Sequence, residues 1–246
     1  MTSLVQPDVS SVLEKACQDY PLIAAFDLDE TLINGDCAQL WLQFLMEQGW
    51  DGAARAYDQC CVLMESYNNG HMNMERYMSV WLQPLHGKTL NELQSLLTLF
   101  VDQWIAPRIF TEARAQLQHH IAQGHLPVII SASPDFLVNA IGRSLAVSDC
   151  IGIVVSLDKG VISGQCQYPI SYREGKIECL QQWLKAMNYP SLGKAVGYFY
   201  SDSHNDLPLM KLVPNPCAVN PNPQLAETAQ QLGWPINYWG QSASVI

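Results

Sequence analysis

Five short apolar runs punctuate the chain: LIAAF at 22–26, LPVII at 126–130, IGIVV at 151–155, AVGYFY at 195–200 and CAV at 217–219. None alternates with polar residues as a strand with one wet face would. Continuous apolar strands are buried on both sides, as in parallel sheets. Between the runs, apolar residues recur at helical spacing. Leu117 and Ile121 precede Gly124; Phe136, Leu137, Ala140, Ile141 and Leu145 follow Ser133 and Pro134; Ile177, Leu180, Leu184 and Met187 follow Gly175. Ser133 as N-cap with Pro134 at the first helical position predicts the start of the second of these helices. Strands alternating with helices predict a three-layer α/β fold.

One interval breaks the rhythm. The stretch from Asp27 to Ser131 is far longer than the roughly 30 residues of a strand-helix-strand unit, and its pattern is helical: Leu40, Trp41, Phe44 and Leu45, then Leu93, Leu96, Leu97, Phe100, Val101 and Trp104. Residues 34–106 are therefore expected to form a helical cap over the carboxyl end of the sheet. Residues 1–33 and 107–246 are expected to form the core. Trp41, Tyr67, Tyr77 and Trp81 are expected in the packing of the cap. GVISGQCQYPI predicts a two-stranded excursion from the core.

Composition adds exclusions. A chain of 246 residues, 48% hydrophobic, can bury a sizeable core. Its 13 Lys and Arg stand against 23 Asp and Glu, without the basic cluster that a nucleic-acid backbone requires. The eight cysteines, from Cys17 to Cys217, form no C-x-x-C pair and read as reduced thiols of a cytoplasmic protein. The opening segment lacks a basic region followed by a long apolar stretch. No run approaches the roughly 18 apolar residues of a membrane span. The expected partner is a small molecule, with neither nucleic acid nor membrane.

The candidate chemistry lies at the strand ends. AAFDLDETLINGD, residues 24–36, sets Asp27, Asp29 and Glu30 just past the first apolar run. A hard divalent cation would offset the repulsion of carboxylates converging there, and oxygen ligation by few carboxylates suits Mg²⁺. An EF-hand loop does not fit, because its glycine would fall on Leu32 and its final glutamate on Ala38. VGYFYSDSHNDLPLM places Asp202 and Asp206 beyond another strand. Alone, these could be acids at a helix start capped by Asp202 or Ser203, but two acidic strand ends in one sheet favour a shared site. Ser131 closes LPVIIS before a helix N-terminus, a place that can hold an anion. Lys176 sits near another helix start, where the helix dipole disfavours a cation unless it faces an anion.

In order, D-x-D-x-T at 27–31, Ser131, Lys176 and SDSHND at 201–206 resemble the four motifs of the haloacid dehalogenase superfamily. The insert after the first strand resembles the cap of its phosphoserine phosphatase branch, and FYSDSHNDLPLM is similar to subfamily IB members of that branch. The sequence departs from the pattern at Glu30, where a glycine or small residue is more usual, and at SDS in place of GDG.

The resemblance implies an α/β, Rossmann-like parallel-sheet core beneath a helical cap. It also implies a Mg²⁺-dependent phosphomonoester hydrolase acting on a small metabolite, phosphoserine-like or histidinol-phosphate-like. Asp27 would be the nucleophile that forms an aspartyl-phosphate, and Asp29 the general acid and base. Mg²⁺ would sit on Asp27, Asp29 through its backbone carbonyl, Asp202 and Asp206. Ser131 and Lys176 would hold the phosphoryl oxygens, with Thr31 and Asn205 supporting. Asp36 would meet a substrate amine and Arg76 a substrate carboxylate. Asp29 argues against a dehalogenase, whose substrate has no alkoxide to protonate. A phosphotransferase with the same intermediate, and a silent phosphoryl-ligand binding module, are the alternatives.

Overall fold

The computed structural model describes residues 20–68 and 72–240, without the side chains of 65–68; Cys17 and the Tyr67 side chain lie outside the described part. The sheet has six parallel strands. They are β1 (Ile23–Phe26), β2 (Leu126–Pro134), β3 (Asp149–Ile153), β6 (Val196–Ser201), β7 (Asn215–Val219) and β8 (Ile236–Asn237), in the order β3-β2-β1-β6-β7-β8. The short β4 (Val155–Asp158) and β5 (Val161–Cys166) form the expected antiparallel hairpin. The apolar run at 151–155 is thus divided: β3 begins two residues earlier, and Val155 already belongs to the hairpin. The tail LGWPINYWG contributes the edge strand β8.

The alternation of side chains along β1 sorts the core into two layers. Ala24 and Phe26 enter one cluster with α5 (Thr111–Ala122) and α6 (Asp135–Ser144). Ile23 and Ala25 enter the other, with α7 (Glu174–Ala186), α8 (Leu192–Ala195), α9 (Leu207–Met210) and α10 (Pro223–Leu232). Helices on both faces explain why the strands read as unbroken apolar runs.

Between β1 and β2 the chain is helical: α1 (Cys37–Glu47), α2 (Ala53–Asn68), α3 (Met74–Trp81) and α4 (Leu90–Phe100). Thr89 and Glu92 form a reciprocal capping box at the start of α4. The helical spacing through Trp104 continues in a wider turn over Val101–Ile105, and Pro107 then enters a tight turn, Ala106–Arg108. The first core cluster runs unbroken into these helices. Trp41 lies 5.1 Å from Phe100 and 6.4 Å from Phe136 of α6, and Trp81 lies 5.9 Å from Phe136, all between ring centroids.

Beneath the sheet's carboxyl edge, Phe26 stacks on Tyr200 at 4.6 Å. The Tyr200 hydroxyl lies 2.9 Å from His120 Nε2, and His120 Nδ1 lies 2.9 Å from His125 Nδ1. Burial, then the facing His125 and His119, lower the His120 pKa to about 4. The seven described cysteines are free thiols.

Trp41 and Trp81 are both fully buried, but only one has a partner for its indole N–H. Trp81 donates to the Ala38 carbonyl at 2.9 Å, whereas Trp41 Nε1 has no partner among the described residues. Trp81→Phe loses a buried hydrogen bond to a carbonyl inside α1 and is expected to lose about 0.5–1.5 kcal/mol more than Trp41→Phe, which loses none. Urea unfolding of the two variants measures the difference; equal losses contradict the assignment.

Candidate active site

β1 stands between β2 and β6, with crossovers departing to either side, so the gap beyond its end is where ligands bind in such sheets. The Asp27 amide donates to the Tyr200 carbonyl at 2.9 Å, the last bond of the ladder. The Leu28 carbonyl then accepts from Thr31, Leu32 and Ile33 at 3.3, 2.8 and 3.2 Å, which closes a tight turn. Within it Glu30 has φ 55°, a left-handed backbone that costs a residue with a Cβ about 1 kcal/mol or more. The position where this sequence departs from a small residue is therefore one that glycine would occupy without strain.

The turn brings Asp29 against two other elements. Its Oδ1 accepts from the Cys37 amide at 2.7 Å, and its Oδ2 accepts from the Ser133 and Ser131 hydroxyls at 2.8 and 3.2 Å. Both serines lie on β2, two residues apart and so on one face. Their stretch falls where the pairing with β3 shifts register. Ser133 also donates its amide to Ser131 Oγ at 3.0 Å, and Ser171 donates its hydroxyl to the Ser131 carbonyl at 2.6 Å. Ser133 is not the N-cap that its place before Pro134 suggests. The strand runs through Pro134, which takes the cap position without a side-chain bond, while the Ser133 hydroxyl is given to Asp29.

Lys176 lies in the first turn of α7, 3% exposed, with Nζ 2.8 Å from Asp27 Oδ1 and 2.7 Å from Asp206 Oδ2. Gly175 makes that approach possible, since a Cβ there would stand 1.9 Å from the Ile170 carbonyl oxygen. Asp206 also accepts from the Ser201 hydroxyl at 2.7 Å. Thr31 is fully buried; it accepts from the Asp202 amide at 3.0 Å and donates to Asp202 Oδ1 at 3.4 Å. It therefore ties the first loop to the loop after β6, instead of facing a phosphate. Asn205 lines the cavity and accepts from Arg173 Nε at 2.8 Å. Ser203 caps the short turn His204–Asp206, so the helix-start reading of that segment also holds.

Asp27, Asp29, Ser133, Lys176, Asp202, Asn205 and Asp206 line one side of a cavity of about 210 Å³, with Ser131 and Thr31 fully buried behind them. Asp36 reaches it from the α1 N-cap, where its Oδ1 accepts from the Gln39 amide at 3.0 Å. Arg76 does not reach it. The turn of α3 that buries Met74, Tyr77 and Met78 leaves Arg76 exposed, in a separate groove with Gln165 and Tyr168. Sequence reasoning missed Ser133, although S-x-S on a strand was the available signal. It also missed the methionines of the cavity wall, which no short motif marks.

Burial pushes the Asp27 carboxyl up to about 7; Lys176 opposes the shift, and Asp206 and Asp29 add to it. Asp202 is raised by burial and then by Asp27 and Asp206. Asp36 is pushed up to about 7 by burial and then by Asp29. Burial alone would lower the Lys176 pKa, but Asp206 and Asp27 outweigh it and hold the ammonium above the ordinary lysine value.

Among the described residues no three His, Cys, Asp or Glu side chains are grouped to hold a metal ion. The Asp29 carboxyl is engaged by three donors, and Asp206 by Lys176 and Ser201; the Asp29 backbone carbonyl is outside these bonds. Of the expected set, Asp202 lies near enough to Asp27 for the Asp27 charge to raise its proton affinity. Two carboxylates completed by a backbone carbonyl and water form a donor set that fits Mg²⁺.

The family model described as haloacid dehalogenase-like hydrolase matches residues 24–211. A histidinol-phosphatase of Neisseria meningitidis is 35% identical over 217 residues, 87% of this chain and 97% of that protein. A phosphoserine phosphatase of Mycobacterium tuberculosis is 28% identical over 223 residues, 89% of this chain and 71% of that protein. Among solved structures, a Bordetella pertussis protein of unknown function superposes with a TM-score of 0.81 at 34% identity, covering 89% of this chain and 98% of its own. A phosphoserine phosphatase in a phospho-aspartyl intermediate analogue form shares the fold, with a TM-score of 0.63 at 16% identity over 89% of this chain and 93% of its own.

The raised carboxyls set the sign of a pH effect. Asp27 and Asp36 bind protons more tightly folded than unfolded, so their contribution to stability is full at acid pH and is lost as pH rises through about 7. His120 acts in the opposite sense, but its contribution is already complete above the ordinary histidine value. Between about pH 6.5 and 8 the carboxyls therefore set the slope. In EDTA, stability is expected to fall by about 1 kcal/mol per pH unit. Asp202→Asn, which removes a charge beside Asp27, is expected to flatten that slope and raise the thermal midpoint at the alkaline end. A flat or rising midpoint in the wild type contradicts this.

Proposed function

This chain belongs to the haloacid dehalogenase-like hydrolases and is a phosphatase of that family acting on a small phosphoester, and from that premise we propose that it works through a covalent aspartyl-phosphate on Asp27 with Mg²⁺ as cofactor. The observation that carries the proposal is the pairing of two differently held aspartates. Asp27 stands at the end of the central strand with the Lys176 ammonium 2.8 Å from one oxygen. Asp29, two residues on, is fixed by an amide and two hydroxyls.

An Asp27 oxygen attacks phosphorus while the bond to the ester oxygen breaks, and Asp29 gives its proton to the departing alkoxide. Asp29 then takes a proton from the water that attacks the phosphoryl group, which releases phosphate and restores Asp27. Lys176 and Ser131 are the donors to the phosphoryl oxygens, the main electrostatic need of phosphoryl transfer. Once Ser131 turns to the phosphoryl group, Ser133 continues to hold Asp29. Asp27, Asp202 and the Asp29 carbonyl are the groups to hold Mg²⁺, whose charge, when bound, neutralises the phosphoryl oxygens. The helices of 34–106 act as the cap that closes this chemistry from bulk water. The phosphoserine- and histidinol-phosphate-directed enzymes among the relatives support a phosphorylated amino alcohol or amino acid as substrate.

Phosphate release in Mg²⁺ is expected to fall by at least about 10³-fold in Asp27→Asn. Asp29→Asn given an aryl phosphate, whose leaving group needs no proton, is expected to accumulate a single phosphoryl adduct at Asp27, read by intact-protein and peptide mass spectrometry. Ordinary turnover by Asp27→Asn would sink the nucleophile assignment.

A further inference from the structure

An arginine stands where the backbone asks for glycine. Tyr172, Arg173, Glu174 and Gly175 form a tight turn closed by the Gly175 amide on the Tyr172 carbonyl at 3.0 Å, and within it Arg173 has φ 52° and ψ −124°. Those angles belong to the first central position of a II′ turn, where glycine is usual because a Cβ is strained. The Arg173 carbonyl then accepts from the Lys176 amide at 3.1 Å, so the turn leads directly into the part of α7 that carries the buried ammonium. The helix gains nothing from the arginine side chain, because Arg173 takes the N-cap position without a side-chain bond. Strain kept where an easier residue exists points to a use for the side chain.

The guanidinium reaches one side chain of the cavity. Its Nε donates to Asn205 Oδ1 at 2.8 Å, its carbon lies 5.4 Å from the Tyr172 ring centroid, and the Tyr172 hydroxyl approaches the same Oδ1 at 3.5 Å. Asn205 is 5% exposed and lines the cavity beside Asp27, Lys176 and Asp202. A primary amide has two settings related by a half-turn, alike in shape and opposite in what they offer. A guanidinium only donates, so the Asn205 oxygen must face Arg173. The nitrogen then faces the other way, and Nδ2 lies 3.3 Å from Ser203 Oγ. With the amide reversed, a carbonyl oxygen would take that place and repel a phosphoryl oxygen.

We propose that Arg173 is a positioning residue of the phosphatase site, locking the Asn205 amide with its nitrogen toward the cavity so that the second Nδ2 proton is donated to a phosphoryl oxygen. The inference rests on the aspartyl-phosphate reading and extends it. One four-residue turn thereby aligns two donors, Lys176 through the backbone and Asn205 through the guanidinium. Arg173 itself acts only through Asn205 and does not line the cavity.

The test separates the guanidinium from the backbone. Arg173→Ala removes the side chain and keeps the strain, whereas Arg173→Gly removes both. The thermal midpoint of Arg173→Gly is expected to exceed that of Arg173→Ala by about 2–4 °C. The kcat/KM of the full-length enzyme for p-nitrophenyl phosphate in Mg²⁺ is nevertheless expected to fall by about 10- to 100-fold in both. An arginine needed only for the turn gives the opposite result, glycine restoring activity together with stability. A double-mutant cycle identifies the route. Asn205→Ala is expected to lose a similar factor, and adding Arg173→Gly to it is expected to change kcat/KM by no more than about threefold. Wild-type activity in Arg173→Gly, or an undiminished loss when Arg173→Gly is added to Asn205→Ala, overturns the inference while Asp27→Asn stays inactive. Ordinary turnover by Asp27→Asn overturns the aspartyl-phosphate chemistry and this inference with it.

Discussion

The Lys176 ammonium, enclosed between Asp27 and Asp206, is the interaction on which the site depends. Carboxylates clustered at a sheet edge repel one another and resist losing water. A buried cation in direct contact with two of them keeps the cluster within reach of ionisation. Its position at a helix start runs against the helix dipole, so the two ion pairs must outweigh that field. The backbone is shaped to allow it: Gly175 lets α7 pass against the Ile170 carbonyl, and Ser201 steadies the far carboxylate. Removing either anion would leave the ammonium buried and half-paired, which is why the arrangement behaves as a unit and not as two separable contacts.

Much of the sheet was legible because its strands are buried on both faces. Each of the five apolar runs marks a strand, and the long interval after β1 holds helices. What escaped the pattern was local competition for hydrogen bonds. Ser133 before a proline has the form of a helix cap, but a carboxylate from a loop distant in sequence claims its hydroxyl. Asp206 has the form of a strand-end acid, and nothing in its motif announces that a lysine thirty positions earlier holds it. Arg76 satisfies an approximate spacing, yet the helical phase set by Met74, Tyr77 and Met78 turns it outward. β8, only two residues long, carries too little pattern to be read. Motif spacing reports which residues approach a strand end; it does not report which of several partners each will choose.

The site also shows why a parallel sheet suits this chemistry. Three adjacent strands, β2, β1 and β6, end side by side, and each delivers one kind of group. β1 delivers the two aspartates, β2 the hydroxyls that hold Asp29, and β6 the loop with Asp202 and Asp206. Thr31 joins the first loop to the third, so the spacing of the carboxylates follows from covalent geometry and short hydrogen bonds instead of from flexible side chains. The opposite wall of the cavity comes from α1, α2, α3 and the segment before α3.

The aromatic seam of Trp41, Trp81 and Phe136 has a consequence for how molecules come and go. These rings join the helices above the sheet to α6 within one continuous apolar cluster. Swinging the whole helical segment away would expose indole and phenyl surface to water, at a free energy comparable to unfolding part of the core. Any opening of the cavity that parts these rings carries that cost, so the seam weighs the balance toward the closed arrangement.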